Sequence, residues 1–273
     1  MLKEILKNVR DNGPLVHNIT NYVTVNDCAN VLLACGGSPI MSDEFEDVVD
    51  ITSICGGLNI NIGTLNHNTI PSMFAAGKKS NELNHPLILD PVGAGASKLR
   101  TETANNLLKE VKFTAIKGNI SEIKTLALGC KTTKGVDADI ADIVTDQNLS
   151  EVIAFANRFA ADTGAVIVIT GAIDIIANGK SACVIKNGHP MMSKITGTGC
   201  MLSALLTAFI VANQDQIFKA AIAAVCAMGL CGEMANERMS NKDGNSTYRN
   251  YLIDAVFNLD GDTLESGAQY EML

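Results

Sequence analysis

The 273-residue chain has no tryptophan, and its aromatics are eight Phe and four Tyr. Basic residues are also few, with 21 Lys and Arg against 29 Asp and Glu, a net charge of −8. Without a basic face there are no side chains to displace phosphate counterions, so nucleic acid is excluded as a partner. Only four His occur (His17, His67, His85 and His189), all widely spaced. No C-x-x-C and no H-E-x-x-H appears, and these absences argue against a zinc site. The N-terminus, MLKEILKNVRDNG, has no apolar stretch of signal-peptide length, so no export is expected. The most apolar stretches, Met201–Ala212 and Ala220–Leu230, are shorter than the ~20 residues that span a bilayer. They read as buried helices, with no membrane partner. A cytoplasmic location follows as an expectation, with the eight Cys as reduced thiols. No Pro/Ser-rich linker, charge block or repeat divides the chain, which reads as one domain over residues 1–273. What it does have is 47% hydrophobic residues, enough for a large core.

Helical and strand patterns alternate. Helices are expected at Leu2–Arg10, Asp27–Cys35, Thr69–Ser80, Lys98–Val111, Ser121–Leu128 and Glu151–Asp162. Three more follow near Cys200–Ala212, Phe218–Asn236 and Thr247–Phe257. Strands are expected in PLVHNIT, SPIM, GLNINIG, PLILDPV, FTAIKGN and AVIVIT. AIDIIANGKSACVIKNG reads as a hairpin across Asn178-Gly179. This is an α/β pattern: a mostly parallel sheet with helices on both faces. The polar tail after Leu259 is expected to be loosely ordered. In such sheets ligands bind beyond the carboxyl ends of the strands.

Three strand ends carry chemistry. In ITGTGCMLSALLTAF, a Gly-Thr-Gly turn runs into an apolar helix. Free amides there make an anion hole, though glycines in a tight turn would give the same letters. In LILDPVGAGAS, Asp90 ends a buried strand, where a carboxylate can hold Mg2+ or orient a hydroxyl. A loop-capping Asp is the weaker alternative. In AIKGNISE, Lys117, Asn119 and Glu122 fall in one turn. Taken alone, Asn119 and Glu122 read first as a helix cap. NGKSA is no P-loop, because Asp174 stands where the motif needs glycine. There is no G-x-S-x-G nucleophile either. An anion hole, a cation and carboxylates at one sheet edge suit phosphoryl transfer.

These residues resemble the hydroxyethylthiazole kinase family, within the ribokinase-like superfamily. The resemblance runs from about Pro14 to the helices near residue 235. It covers PLVHNITNYVTVNDCANVLLACGGSPIM, LNINIGTL, ILDPVGAGAS, KGNISEI and ITGTGCMLSA, in that order. It implies a ribokinase-like three-layer α/β/α fold and the ATP- and Mg2+-dependent phosphorylation of 4-methyl-5-(2-hydroxyethyl)thiazole in thiamine salvage. It also implies a homotrimer with the thiazole site between subunits. By motif, Met41, Gly197, Asn21 and Val23 would contact the thiazole. Lys117, Thr170 and Gly199 would bind ATP, with Lys117 in place of the family's Arg. Asp90, Asn119 and Glu122 would organise magnesium, against the local cap reading.

Cys200 stands where the wider superfamily carries the Asp of G-x-G-D, the base for the accepting hydroxyl. Thiols, with a reference pKa of ~8.5, are mediocre bases near neutrality. A largely dissociative transition state asks little of a base, so Cys200 is expected to assist without being essential. The other seven Cys read as small core residues. No Phe or Tyr falls in TGTGC, DPVGAGA or SPIM, so a thiazole would pack on Met41, Val23 and backbone. The competing readings are a ribokinase-like kinase of another alcohol, such as hydroxymethylpyrimidine or pyridoxal, and a non-catalytic thiazole or nucleotide binder.

Overall fold

The computed structural model describes residues 1–129 and 143–273. The first half runs α1 (Leu2–Asn12), β1 (Leu15–Ile19), α2 (Val25–Cys35), β2 (Ser38–Met41), α3 (Val48–Ile54), β3 (Gly57–Asn61) and α4 (Thr69–Leu83). It continues through β4 (Leu87–Asp90), α5 (Lys98–Glu110), β5 (Ala115–Asn119), α6 (Ile120–Gly129) and α7 (Leu149–Thr163). The second half runs β6 (Val166–Thr170), β7 (Asp174–Ala177), β8 (Ala182–Ile185), α8 (Thr198–Val211) and α9 (Ile217–Glu237). It ends with α10 (Asn245–Asn258), α11 (Gly261–Gly267) and β9 (Tyr270–Met272).

One sheet orders the strands β2-β1-β3-β4-β5-β6-β7-β8-β9. The pairs from β2 to β6 are parallel, and those from β6 to β9 are antiparallel. Side chains alternate between two cores, as strand geometry requires. Val166 and Val168 join the core beneath α1, α2, α8, α9 and α10; Ile167 and Ile169 join the one beneath α4, α5, α6 and α7. The sheet is therefore the middle of three layers, and the expected mixed α/β/α architecture is present.

Parallel pairing brings the strand ends to one edge. Asn61 lies opposite Asp90 across β3 and β4, and Asn119 opposite Thr170 across β5 and β6. The hairpin turns at Asn178-Gly179, with Gly179 in the left-handed region at φ +87°. A side chain is strained there, and glycine is not.

Several expectations are corrected. The tail after Leu259 is ordered: Asp260 caps α11 by accepting from Thr263 N–H at 2.7 Å, Leu264 is fully buried, and β9 pairs with β8. Its polar letters concealed one core residue and a long-range strand. The helix expected from Ser121 starts one residue earlier, at Ile120, and Asn119 and Glu122 cap it as their spacing suggested. The helix expected near Phe218–Asn236 is present as α9, and the apolar stretch Ala220–Leu230 lies inside it. The stretch Gln214–Glu237 is long and apolar enough to cross a membrane, yet 72% of its apolar window is buried in this fold, as suits a core helix. Seven cysteines (28, 35, 55, 183, 200, 226 and 231) are buried free thiols. Burial pushes Cys35 and Cys55 up to about 11, which keeps them unreactive. Cys130 lies outside the described residues.

Candidate active site

β4 delivers Asp90 to the sheet edge with no exposed surface. Its Oδ2 accepts three hydrogen bonds: from Ser203 Oγ at 2.6 Å, Asn61 Nδ2 at 2.9 Å and Lys117 Nζ at 3.2 Å. Its Oδ1 is buried and has no partner. Lys117, on β5, also donates to the Gly199 carbonyl at 3.0 Å. Burial alone would lower the Lys117 pKa, but Asp90, Cys200 and Glu122 outweigh it and leave it raised. The ammonium therefore stays charged.

Gly197 opens α8 at φ +89°, and a Cβ there would lie 2.4 Å from Thr24 Cγ2. The first helical bond is Met201 N–H to Gly197 O, 2.8 Å. The amides of Thr198, Gly199 and Cys200 thus stand ahead of the helical ladder, at the positive end of the dipole. Cys200 is nearly buried, and its Sγ accepts from Asn21 Nδ2 at 3.2 Å.

Asn119 and Glu122 form a reciprocal cap. Asn119 Oδ1 accepts from Glu122 N–H at 2.8 Å, and Glu122 Oε2 accepts from Asn119 N–H at 2.9 Å. Glu122 Oε1 accepts from Gly93 N–H at 2.8 Å, which ties this helix to the Asp90 loop. Burial raises the Glu122 pKa, against these two amides.

A cavity of about 360 Å³ joins these groups. Asn21, Val23, Asp90, Lys117, Asn119, Glu122, Thr170, Gly197, Gly199 and Cys200 all line it. A larger cavity of about 590 Å³ adjoins, lined by Asn187, Met192, Leu202, Val225 and Met228 among others. Thr170 and Gly199 line both. A third, of about 150 Å³, holds Asn18, Thr20, Tyr22 and Met41.

The model of the hydroxyethylthiazole kinase family matches residues 6–262. The chain belongs to the hydroxyethylthiazole kinase family. It is similar to the hydroxyethylthiazole kinase of Clostridium acetobutylicum, 68% identical over 99% of both chains. Its fold is similar to the solved hydroxyethylthiazole kinase protein of Pyrococcus horikoshii, with TM-score 0.87 and 32% identity over 100% of this chain and 98% of that one. A ribokinase-like superfamily protein of Enterococcus faecalis is similar in fold alone, with TM-score 0.58 and 14% identity over 93% of each chain.

In this hydroxyethylthiazole kinase family member, ten of the eleven expected site residues share the central cavity. Met41 does not. The two cavities share no lining residue: the loop 20–24 sends Asn21 and Val23 to the central one and Thr20 and Tyr22 to that of Met41. Sequence reading missed Asn61, Ser203 and the large apolar cavity. Asn61 ends β3 in register with Asp90, and the strand-end rule applied to GLNINIG would have found it. Ser203 is one turn beyond Gly199 on an apolar helix, and no letter pattern marks it. Among the described residues no three His, Cys, Asp or Glu converge as a metal cage. The oxygen donors at the edge, a bare Asp90 oxygen and Glu122, are of the hard type that would suit a magnesium ion.

Proposed function

We propose that the protein transfers the terminal phosphoryl group of ATP to the primary alcohol of 4-methyl-5-(2-hydroxyethyl)thiazole, a step of thiamine biosynthesis and salvage. The observation that carries the reading is the junction of two cavities at Thr170 and Gly199. A nucleoside fits the larger, apolar one, and its phosphates would cross the junction towards Cys200. There Lys117 and the first amides of α8 would stabilise charge on the transferring group. A bound magnesium ion would supply charge neutralisation to the phosphates. Asp90 and Glu122 would hold it, and Asn119 would serve by fixing Glu122. The alcohol oxygen attacks phosphorus as the bond to the ADP oxygen breaks. Cys200 would orient the hydroxyl, whose proton would pass late to an oxygen of the transferred phosphoryl group.

The assembly belongs to the same reading: a homotrimer with the thiazole site between subunits. Two facts support it. Met41 and Gly197 line separate cavities within one chain. Tyr22 and Val23, on the loop between them, are 79% and 53% exposed, an apolar surface suited to cover by a second copy. The cytoplasm, which keeps thiols reduced, suits seven buried free cysteines.

The test is a coupled ATPase assay over a panel of primary alcohols, including the thiazole, hydroxymethylpyrimidine and pyridoxal. Thiazole-dependent ADP release is expected. Release with another alcohol alone, or nucleotide binding without turnover, overturns the proposal. Light scattering should give three chains per particle.

A further inference from the structure

The two oxygens of Asp90 stand in opposite conditions. Oδ2 is saturated by Asn61, Ser203 and Lys117, while Oδ1 is bare in a site with no exposure. A desolvated carboxylate oxygen without a partner is costly, and here the neighbours leave one oxygen, not two, for a ligand.

The amide orientations are fixed by backbone donors. Asn61 Oδ1 accepts from Gly63 N–H at 2.8 Å, so its Nδ2 must face Asp90. Asn21 Oδ1 accepts from Thr24 N–H at 3.2 Å, so its Nδ2 faces Asn61 Oδ1 at 3.1 Å and Cys200 Sγ at 3.2 Å. A backbone N–H cannot be flipped, which removes the usual oxygen–nitrogen ambiguity of an amide. The relay therefore has one polarity. It presents N–H groups to two acceptors at the cavity, Asp90 Oδ2 and Cys200 Sγ.

We propose that Asn61 and Ser203 are positioning residues that clamp Asp90 by Oδ2 and present Oδ1 to the metal–phosphate ligand, with Asn21 extending the clamp to Cys200. The clamp rests on the phosphoryl-transfer reading above. Neither Asn61 nor Ser203 lines the cavity, so neither acts on substrate directly. Their effect must pass through the carboxylate they hold.

The experiment uses Asn61→Leu, which keeps the volume and removes the donor, and Ser203→Ala, a second variant should the first not fold. Folding is checked by circular dichroism. Two readouts are taken: steady-state kinetics, and Mn2+ binding in the presence of ADP by electron paramagnetic resonance. In folded variants kcat and Mn2+ affinity should each fall by about tenfold or more, the range for residues that orient a metal ligand. The KM for the alcohol should stay within about twofold of wild type. Either readout at the wild-type level, or a loss confined to KM, overturns the proposal. A wild-type protein that binds Mn2+ and ADP but phosphorylates no thiazole alcohol would instead overturn the proposed function, and the clamp would then be judged on Mn2+ binding alone.

Discussion

Lys117 and Asp90 form an ion pair inside the protein, Nζ to Oδ2 at 3.2 Å, with side chains 5% and 0% exposed. A second bond, to the Gly199 carbonyl, makes this lysine the link between β4, β5 and the start of α8. Two of its three N–H donors are thus held by protein, leaving one for phosphate. Removing the cation leaves a buried carboxylate unpaired. Lys117→Met should therefore cost about 3–5 kcal/mol in urea unfolding, beyond any loss of ATP binding. Wild-type stability in that variant would show that the pair adds nothing to the fold.

Gly197 has no room for a side chain. At φ +89°, with Thr24 Cγ2 2.4 Å from an added Cβ, even alanine must displace the loop that carries Asn21. Gly197→Val should lower kcat/KM at least about 100-fold, because misplacement of about 1 Å has that effect on positioned reactants. Its far-UV circular dichroism should match wild type, since the glycine lies outside both cores. Kinetics like those of wild type would move the anion hole elsewhere.

Cys200 accepts a hydrogen bond from Asn21 and lies on the cavity beside Lys117. A carboxylate at this position would find both a donor and a cation. With saturating ATP, Cys200→Ala should retain about a tenth or more of kcat, a smaller loss than the roughly 100-fold or greater effect of removing a full general base. Cys200→Asp should equal or exceed wild type. Complete loss in the alanine variant would make the thiol essential.

Asp174 sits at the start of β7 and lines the larger cavity. Burial pushes its carboxyl up to about 7, against Gly171 N–H at 2.8 Å and the charge of Lys117. Between its reference value of 3.8 and about 7 the folded protein holds a proton that the unfolded chain has released. Stability must fall as pH rises through that window. Asp174→Asn removes the dependence, so its melting temperature relative to wild type should be higher at pH 8 than at pH 5. A difference that does not change with pH would show that Asp174 titrates normally.

Much of the site was legible because parallel α/β sheets put function at strand ends. Asp90, Asn119 and Thr170 each close a strand, Lys117 lies on β5 shortly before Asn119, and a run of apolar letters shows where a strand closes. Asn119 and Glu122 illustrate a limit: the same residues serve as a helix cap and as cavity wall, and spacing cannot separate the two. Ser203 illustrates another, since on a fully buried helix a residue that bonds a carboxylate looks like one that fills space.

The sequence by itself determined the three-layer order, the glycine turn before α8 and the chemical types at the sheet edge, because periodicity and turn stereochemistry act over a few neighbouring residues. Only the tertiary structure decided which oxygen of Asp90 is left bare, that Met41 lies across the loop 20–24 from Gly197, and that the acidic tail returns as a ninth strand. Each of these depends on contacts between residues far apart in the chain, and their geometry is set by packing rather than by local pattern.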